Sequence, residues 1–303
     1  MPSNRRQFLA SSLGLAVGLV TAGCIGDSPS TDAESPDGSP KGSPDGTDTP
    51  APESAQRTVG GATVAVTDIV ARKAVTYQST MGSGGVVAPE GKQFVVASVS
   101  TEAELEMGQF SLDAAGETWG AVTVGEHGAQ NHAVAEHAGG VVGRPTTGGS
   151  DAKRYVVFEL GSPLATEGPR IVLENGGESA EWSLPDEAAE TIAASAPSFE
   201  LDSLDAPESV QQGEEMTVDL SVTNTSETSG RFLAAVYWPT ELIADDDESH
   251  LIEQSVDAGT STTASLTLDT EYTTNEDGPV TLRVEGHVAA EQEITVEGAS
   301  TPV

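Results

Sequence analysis

Residues 213–224, GEEMTVDLSVTN, carry an apolar side chain at every second position from Met216 to Val222. A strand turns successive side chains to opposite faces, so Met216, Val218, Leu220 and Val222 line one face and Thr217, Asp219 and Ser221 the other. A helix would scatter the same residues around its axis. The segment therefore reads as a strand with one face in a core and the other in water. Similar runs surround it: SFELDSL (198–204), RFLAAVYWP (231–239), HLIEQSV (250–256), TTASLTLDTEY (262–272), GPVTLRVEGHV (278–288) and EQEITV (291–296). Short strands at this spacing predict an antiparallel sandwich over 198–303.

The preceding region reads the same way. ATVAVTDIVA (62–71), QFVVASVS (93–100), GQFSLDA (108–114), KRYVVFEL (153–160), RIVLEN (170–175) and AEWSLP (180–185) are rich in Val, Ile and aromatics and bounded by turn residues. One helical stretch stands out, PDEAAETIAASAP (185–197), with Pro185 and Asp186 suited to its start and Pro197 to its stop.

Two resemblances follow from these residues. The order TVGGATVAVTDI, PEGKQFVVASVS, FSLDAAGETW and YVVFELGSP to RIVLENGGESAEWSLP is similar to a family of uncharacterised extracytoplasmic lipoprotein domains with a telokin-like, immunoglobulin-like fold. Gly213 to Asn224, followed by DAGTSTTASLTL, resembles adhesion-type immunoglobulin-like domains. Both imply binding modules and neither supplies an active site. The expected fold is all-β, two immunoglobulin-like antiparallel β-sandwiches in tandem, behind a signal peptide and a disordered acidic Ser/Pro/Gly stalk.

The N-terminal stretch NRRQFLASSLGLAVGLVTAGC (4–24) joins Arg5 and Arg6 to a short apolar run and the only cysteine of the chain. A positive start, an apolar middle and small residues before a cut describe an export signal. Arg5-Arg6 with Gln7, Phe8 and Leu9 resembles the twin-arginine export motif, an address read by a receptor. Thr21-Ala22-Gly23-Cys24 resembles a lipobox, which implies lipid on Cys24 and attachment to membrane lipid. With that thiol used, no disulfide can form within the mature chain. Residues 27–57 lack Val, Ile, Leu, Met and aromatics, so they predict a disordered stalk. The expected order is a signal at 1–23, lipidated Cys24 and stalk at 24–57, and a first sandwich at 58–186 with an insertion at 120–150. A helical connector at 187–197 and a second sandwich at 198–303 complete it.

The net charge is −35, from 48 acidic and 13 basic residues. Phosphate contacts need clustered basic residues, so nucleic acid is excluded as a partner. The acids are dispersed among strand-like runs. That pattern resembles secreted proteins of halophilic archaea, whose molar salt shortens the Debye length to about 3 Å and screens self-repulsion.

Candidate chemistry is sparse. His127, His132 and His137 recur five residues apart in the insertion. On a helix they would not share a face, but on a loop they could converge as zinc or copper ligands. Asp245 to Glu248 lie in a row without the alternation or the glycine of a calcium loop, and read as a solvated hairpin tip. Asn224-Thr225-Ser226 is a candidate glycan acceptor. Trp182 and Trp238 read as core, whereas Trp119 borders the insertion and could line a ligand surface. GSGG (82–85) and GGSD (148–151) do not meet the G-x-S-x-G elbow of serine hydrolases. The expectation is a non-enzymatic, cofactor-free interaction module with a protein partner, lipid-anchored on the outer face of the membrane. The alternative is a solute- or metal-binding lipoprotein using 120–150.

The charge argument has a direct test. As NaCl falls from molar to about 0.1 M, the Debye length grows to about 10 Å and residues 58–303 should lose their β-type circular dichroism. A spectrum unchanged across that range would overturn the salt-adapted reading.

Overall fold

In the computed structural model, residues 55–79, 84–125, 128–144, 153–242 and 247–299 are described. The chain is all-β apart from a single α-helix among the described residues. No helix there is long and apolar enough to cross a membrane. The first strands are β1 (Gln56–Val59), β2 (Ala62–Arg72), β3 (Val75–Ser79), β4 (Gly85–Val87), β5 (Lys92–Thr101) and β6 (Phe110–Ala114). Then come β7 (Glu117–Val122), β8 (Asn131–Val134), β9 (His137–Ala138), β10 (Arg154–Gly161), β11 (Arg170–Asn175) and β12 (Glu178–Ser183). β1 opens at Gln56, inside the stretch that the sequence assigns to the stalk.

Two unbroken apolar runs organise this half. On β5, Val95, Ala97 and Val99 enter one core while Phe94 and Val96 enter another. On β10, Val156, Phe158 and Leu160 join the first core, Tyr155 and Val157 the second. An apolar residue at every position, rather than every second one, is the mark of a strand buried on both faces. The layer covering the outer face is the four-stranded sheet β4-β3-β8-β9. The inner face belongs to a sheet ordered β1-β2-β5-β10-β7-β6-β11-β12. Its two four-stranded portions are joined only by the pairs Val157–Val122 and Phe158–Ala121, and both portions supply the inner core.

The outer edges of that sheet also meet. Trp182 Nε1 donates to the Ala55 carbonyl at 2.6 Å, Asn175 Nδ2 to the Val59 carbonyl at 3.2 Å, and the Gly60 N–H to Glu178 Oε2 at 2.8 Å. These side chains engage edge groups that would otherwise remain open to pairing.

Helix α1 (Asp186–Ala193) follows, within the predicted stretch, and buries Ala188 and Ile192 in the inner core. The second half contains β13 (Phe199–Asp205), β14 (Ser209–Gln211), β15 (Met216–Asn224) and β16 (Gly230–Pro239). It ends with β17 (Asp247–Val256), β18 (Ser261–Leu268), β19 (Gly278–Gly286) and β20 (Ala290–Glu297). One sheet runs β13-β15-β18 and the other β14-β20-β19-β16-β17, with β14 parallel to β20. A single core takes Met216, Val218, Leu220 and Val222 from the first sheet and Phe232, Val236, Trp238, Leu282 and Ile294 from the second. The alternation read on β15 is thus the observed one. Trp238 Nε1, fully buried, donates to Thr273 Oγ1 at 2.7 Å, which in turn donates to the Thr270 carbonyl.

β16 does for the whole molecule what β5 and β10 do for the first half. Phe232, Ala234, Val236 and Trp238 face the core of the second half. Leu233, Ala235 and Tyr237 face the other way and pack with Ala74 and Val86 of the first half. The Tyr237 hydroxyl hydrogen-bonds that of Tyr77, and burial pushes its pKa up. The Arg283 guanidinium stacks over the Tyr237 ring, 5.1 Å from its centre. The described residues from 55 onward belong to one contact unit.

Gly85 sits against this junction, where a Cβ would press on the hydroxyls of both Tyr237 and Tyr77. Gly85→Ala should cost about 1–3 kcal/mol, as overpacking does, read from the urea midpoint. An unchanged midpoint would mean that the two tyrosines are not fixed there.

Candidate functional site

Where the two halves meet, a cleft of about 470 Å³ opens beside the apolar contact. The end of β2 contributes Arg72 and Lys73, the turn before β9 contributes Glu136, and the second half contributes Arg231 and Glu253. Three cations in one cleft are conspicuous in a chain with 13 basic residues against 48 acids.

Lys73 is half-buried and donates to Gln93 Oε1 at 2.6 Å, Ser162 Oγ at 3.0 Å and the Ala194 carbonyl at 2.6 Å. None of these acceptors is charged. Its position near the end of α1 is favourable for a cation, since the last carbonyls of a helix lack backbone partners. Gln93, fully buried, supports the same end by donating to the Ile192 and Gly161 carbonyls. Burial lowers the Lys73 ammonium from its ordinary 10.5 to about 8.

Arg72 donates to the Ala71 carbonyl at 3.1 Å and makes no ion pair among the described residues. Arg231 pairs with Glu253. That hydrogen bond, with the charges of Arg231 and Arg72 behind it, holds the Glu253 carboxyl below the usual range against an opposing desolvation effect. Next to Arg231, His287 is packed between Phe199 and Phe232, with ring centres 4.9 and 5.9 Å away. Burial lowers its pKa to about 4, the Arg231 charge acting the same way and the contact with the Leu233 main chain opposing it. Leu233 N–H donates to His287 Nδ1 at 2.9 Å.

The insertion reaches the cleft through Glu136, not through its histidines. Asp68, Ala135 and Glu136 all have left-handed φ values, between 46° and 71°. His137 lies between them, buried, with Nδ1 2.9 Å from the Ala135 carbonyl and Nε2 2.6 Å from the Asp68 carbonyl. In this structure both ring nitrogens of His137 are thus directed at main-chain oxygens. His132 is exposed, and His127 lies outside the described residues. Among the described residues no three His, Cys, Asp or Glu side chains come together as a metal site.

The candidate glycan acceptor Asn224 ends β15. Asn224 is fully buried, its Nδ2 donates to the Thr228 and Val256 carbonyls, and its Oδ1 accepts from the Ser226 N–H and hydroxyl. The tripeptide is a turn clasp. Trp182 and Trp238 are core residues as read. Trp119 is half-buried on β7 and packs against the inner core of the first half. Cys24, Arg5, Arg6 and the stalk up to residue 54 lie outside the described residues, as do Asp245 and Asp246. A second cavity, of about 460 Å³, is lined by Glu102, Glu104, Glu106, Arg144 and Arg154.

No protein-family model and no characterised protein matches the chain. Among solved structures, a β-glucosidase from Listeria innocua in complex with isofagomine is similar at a TM-score of 0.31 and 23% identity, over 35% of this chain and 17% of that one. A β-glucosidase from Erythrobacter marinus gives 0.29 and 17% identity, over 33% of this chain and 15% of that one. A DUF4785 family protein from Legionella pneumophila gives 0.21 and 13% identity, over 78% and 57%. The chain spans about 17% of the length of the first of these. Likeness at this level carries no argument about fold or activity.

The cleft cations were missed by sequence reasoning, which treated Lys73 only as part of the charge count. The available signal was the adjacent pair Arg72-Lys73 directly after an apolar run in so acidic a chain.

The Lys73 shift sets a pH dependence. Between pH 8 and 10.5 the unfolded chain still holds a proton that the folded chain has shed, so this residue makes stability rise with pH across that window. The difference in urea midpoint between wild type and Lys73→Met should change over the same window and be flat below it. A difference independent of pH would contradict the burial of this ammonium.

Proposed function

We propose that the chain is a lipid-anchored interaction module on the outer face of a halophilic archaeal membrane, with the junction between its halves as the recognition surface. The observation that carries this reading is the shared cleft, since side chains of both halves line it. A site built across a fixed junction is preorganised, so a partner meets it without first ordering loose segments. Cys24 after Thr21-Ala22-Gly23, together with Arg5-Arg6, supports export by the twin-arginine route and attachment through lipid.

In the second half, the parallel β14–β20 pair and the buried Trp238 on β16 favour an immunoglobulin-like sandwich of the adhesion type. In the first half, two four-stranded portions around one core, linked by two residue pairs, favour the telokin-like sandwich. The role is non-enzymatic: the module holds a protein partner and needs no cofactor.

Cross-linking in intact cells at native salt, read by mass spectrometry on the full tagged chain, tests the proposal. The expected result is one dominant surface or membrane partner linked at junction residues and lost in Cys24→Ser, which releases the chain from lipid. Partner capture independent of Cys24, or none above background, would overturn it.

A further inference from the structure

We propose that the junction cleft binds a small ligand through an oxyanion group, a carboxylate or a phosphate, gripped by Arg72 of the first half and Arg231 of the second. This rests on the reading of the junction as a recognition surface and adds the chemistry of what it recognises.

Cations are scarce in this chain, 13 against 48 acids, and several are engaged by carboxylates. Lys92 pairs with Glu159, Arg170 with Asp113 and Glu181, and Arg283 with Glu285. Arg72 and Lys73 form no ion pair among the described residues, are consecutive, and line one cleft with Arg231. These three cations outnumber the two carboxylates of the same cleft, Glu136 and Glu253, and a partly desolvated charge favours a counter-charge, so an entering anion is favoured.

The wall is suited to that visitor. A guanidinium offers two parallel N–H donors that match the two oxygens of a carboxylate or phosphate. Arg231 already donates from Nε to one carboxylate oxygen of Glu253, whose side chain is 52% exposed. Glu253 is therefore an internal stand-in for the ligand's anionic group. Ser195 and Ser229 line the same cleft as neutral hydrogen-bonding groups. The volume, about 470 Å³, lies within the range of small-molecule sites. Glu136 and Glu253 keep the cleft from being uniformly positive, so a ligand bearing several anionic groups is disfavoured against one bearing one or two.

The test titrates sodium phosphate and, separately, sodium succinate into the full chain in detergent at constant high ionic strength. Two readouts are followed: the unfolding temperature and the rate of Lys73 acetylation by mass spectrometry. The expected result is a saturable rise in the first and a fall in the second with at least one anion; which anion acts separates phosphate from carboxylate recognition. Arg72→Gln should raise the half-saturating concentration roughly ten-fold, as loss of a charged hydrogen bond does. Arg72→Lys, which keeps the charge and loses the fork, should fall between, and Lys92→Gln, whose partner is Glu159, should match wild type. Circular dichroism without anion confirms that each variant is folded; if Arg72→Gln is not, Arg72→Lys alone decides. A non-saturating rise of equal slope in wild type and variant is the general stabilising effect of such salts and overturns the site. If cross-linking finds a partner while neither anion binds saturably, the anion site falls and the module reading stands. Saturable binding without a partner supports the site and removes that reading.

Discussion

Burial of both faces of one strand, residues 232–238, is the constraint on which the rest of this molecule depends. One set of side chains fills the core of the second half, and the alternate set lies against Ala74 and Val86 of the first. Neither half can rotate without opening an apolar contact, and burial of that kind stabilises by roughly 25 cal/mol per Å². The tyrosine pair at its centre adds direction to an otherwise non-directional contact, because a hydroxyl–hydroxyl hydrogen bond tolerates little sliding. The cleft lies beside that contact, with Ala74 and Leu233 in its lining next to polar side chains of both halves.

Charge works on a different scale from packing. The acidic residues sit mainly on exposed positions of strands and turns, where salt screens them and each costs little. The ion pairs among the described residues are likewise largely exposed and contribute little individually. What matters is where the few cations are placed. Lys92, Arg170 and Arg231 serve as partners for carboxylates on neighbouring strands; Arg72 and Lys73 instead line the cleft at the junction, Lys73 also donating at the end of α1.

Legibility in the sequence followed period and locality. The alternation of Met216 to Val222 is decided within one strand by water on one side and core on the other, so it could be read from the residues alone. Helix α1 was readable for the same reason, its limits being set by Pro185 and Pro197. The unbroken runs at 94–97, 155–158 and 232–238 carried a further message, that these strands are covered twice, but not which layer covers them. That answer lies in distant residues: Val75 and Tyr77 for β5 and β10, Ala74 and Val86 for β16. The cleft was illegible because it depends on this long-range pairing. The surroundings of His137 and Asn224 were illegible for a related reason. Their motif value assumes an accessible side chain, and both are instead spent on the main chain around them.

The doubly covered strand bears on ancestry as well as on architecture. Immunoglobulin-sized units are often shuffled between proteins as self-sufficient cassettes, which requires an outer surface that water accepts. The outer face of β16 does not meet that requirement, since Leu233, Ala235 and Tyr237 are buried by the other half. Transplanted alone, either half would display an apolar patch shaped to a missing neighbour. The pair is therefore the heritable unit, and change at residues 74, 86, 233, 235 and 237 has to be concerted across the boundary rather than accumulated separately on each side.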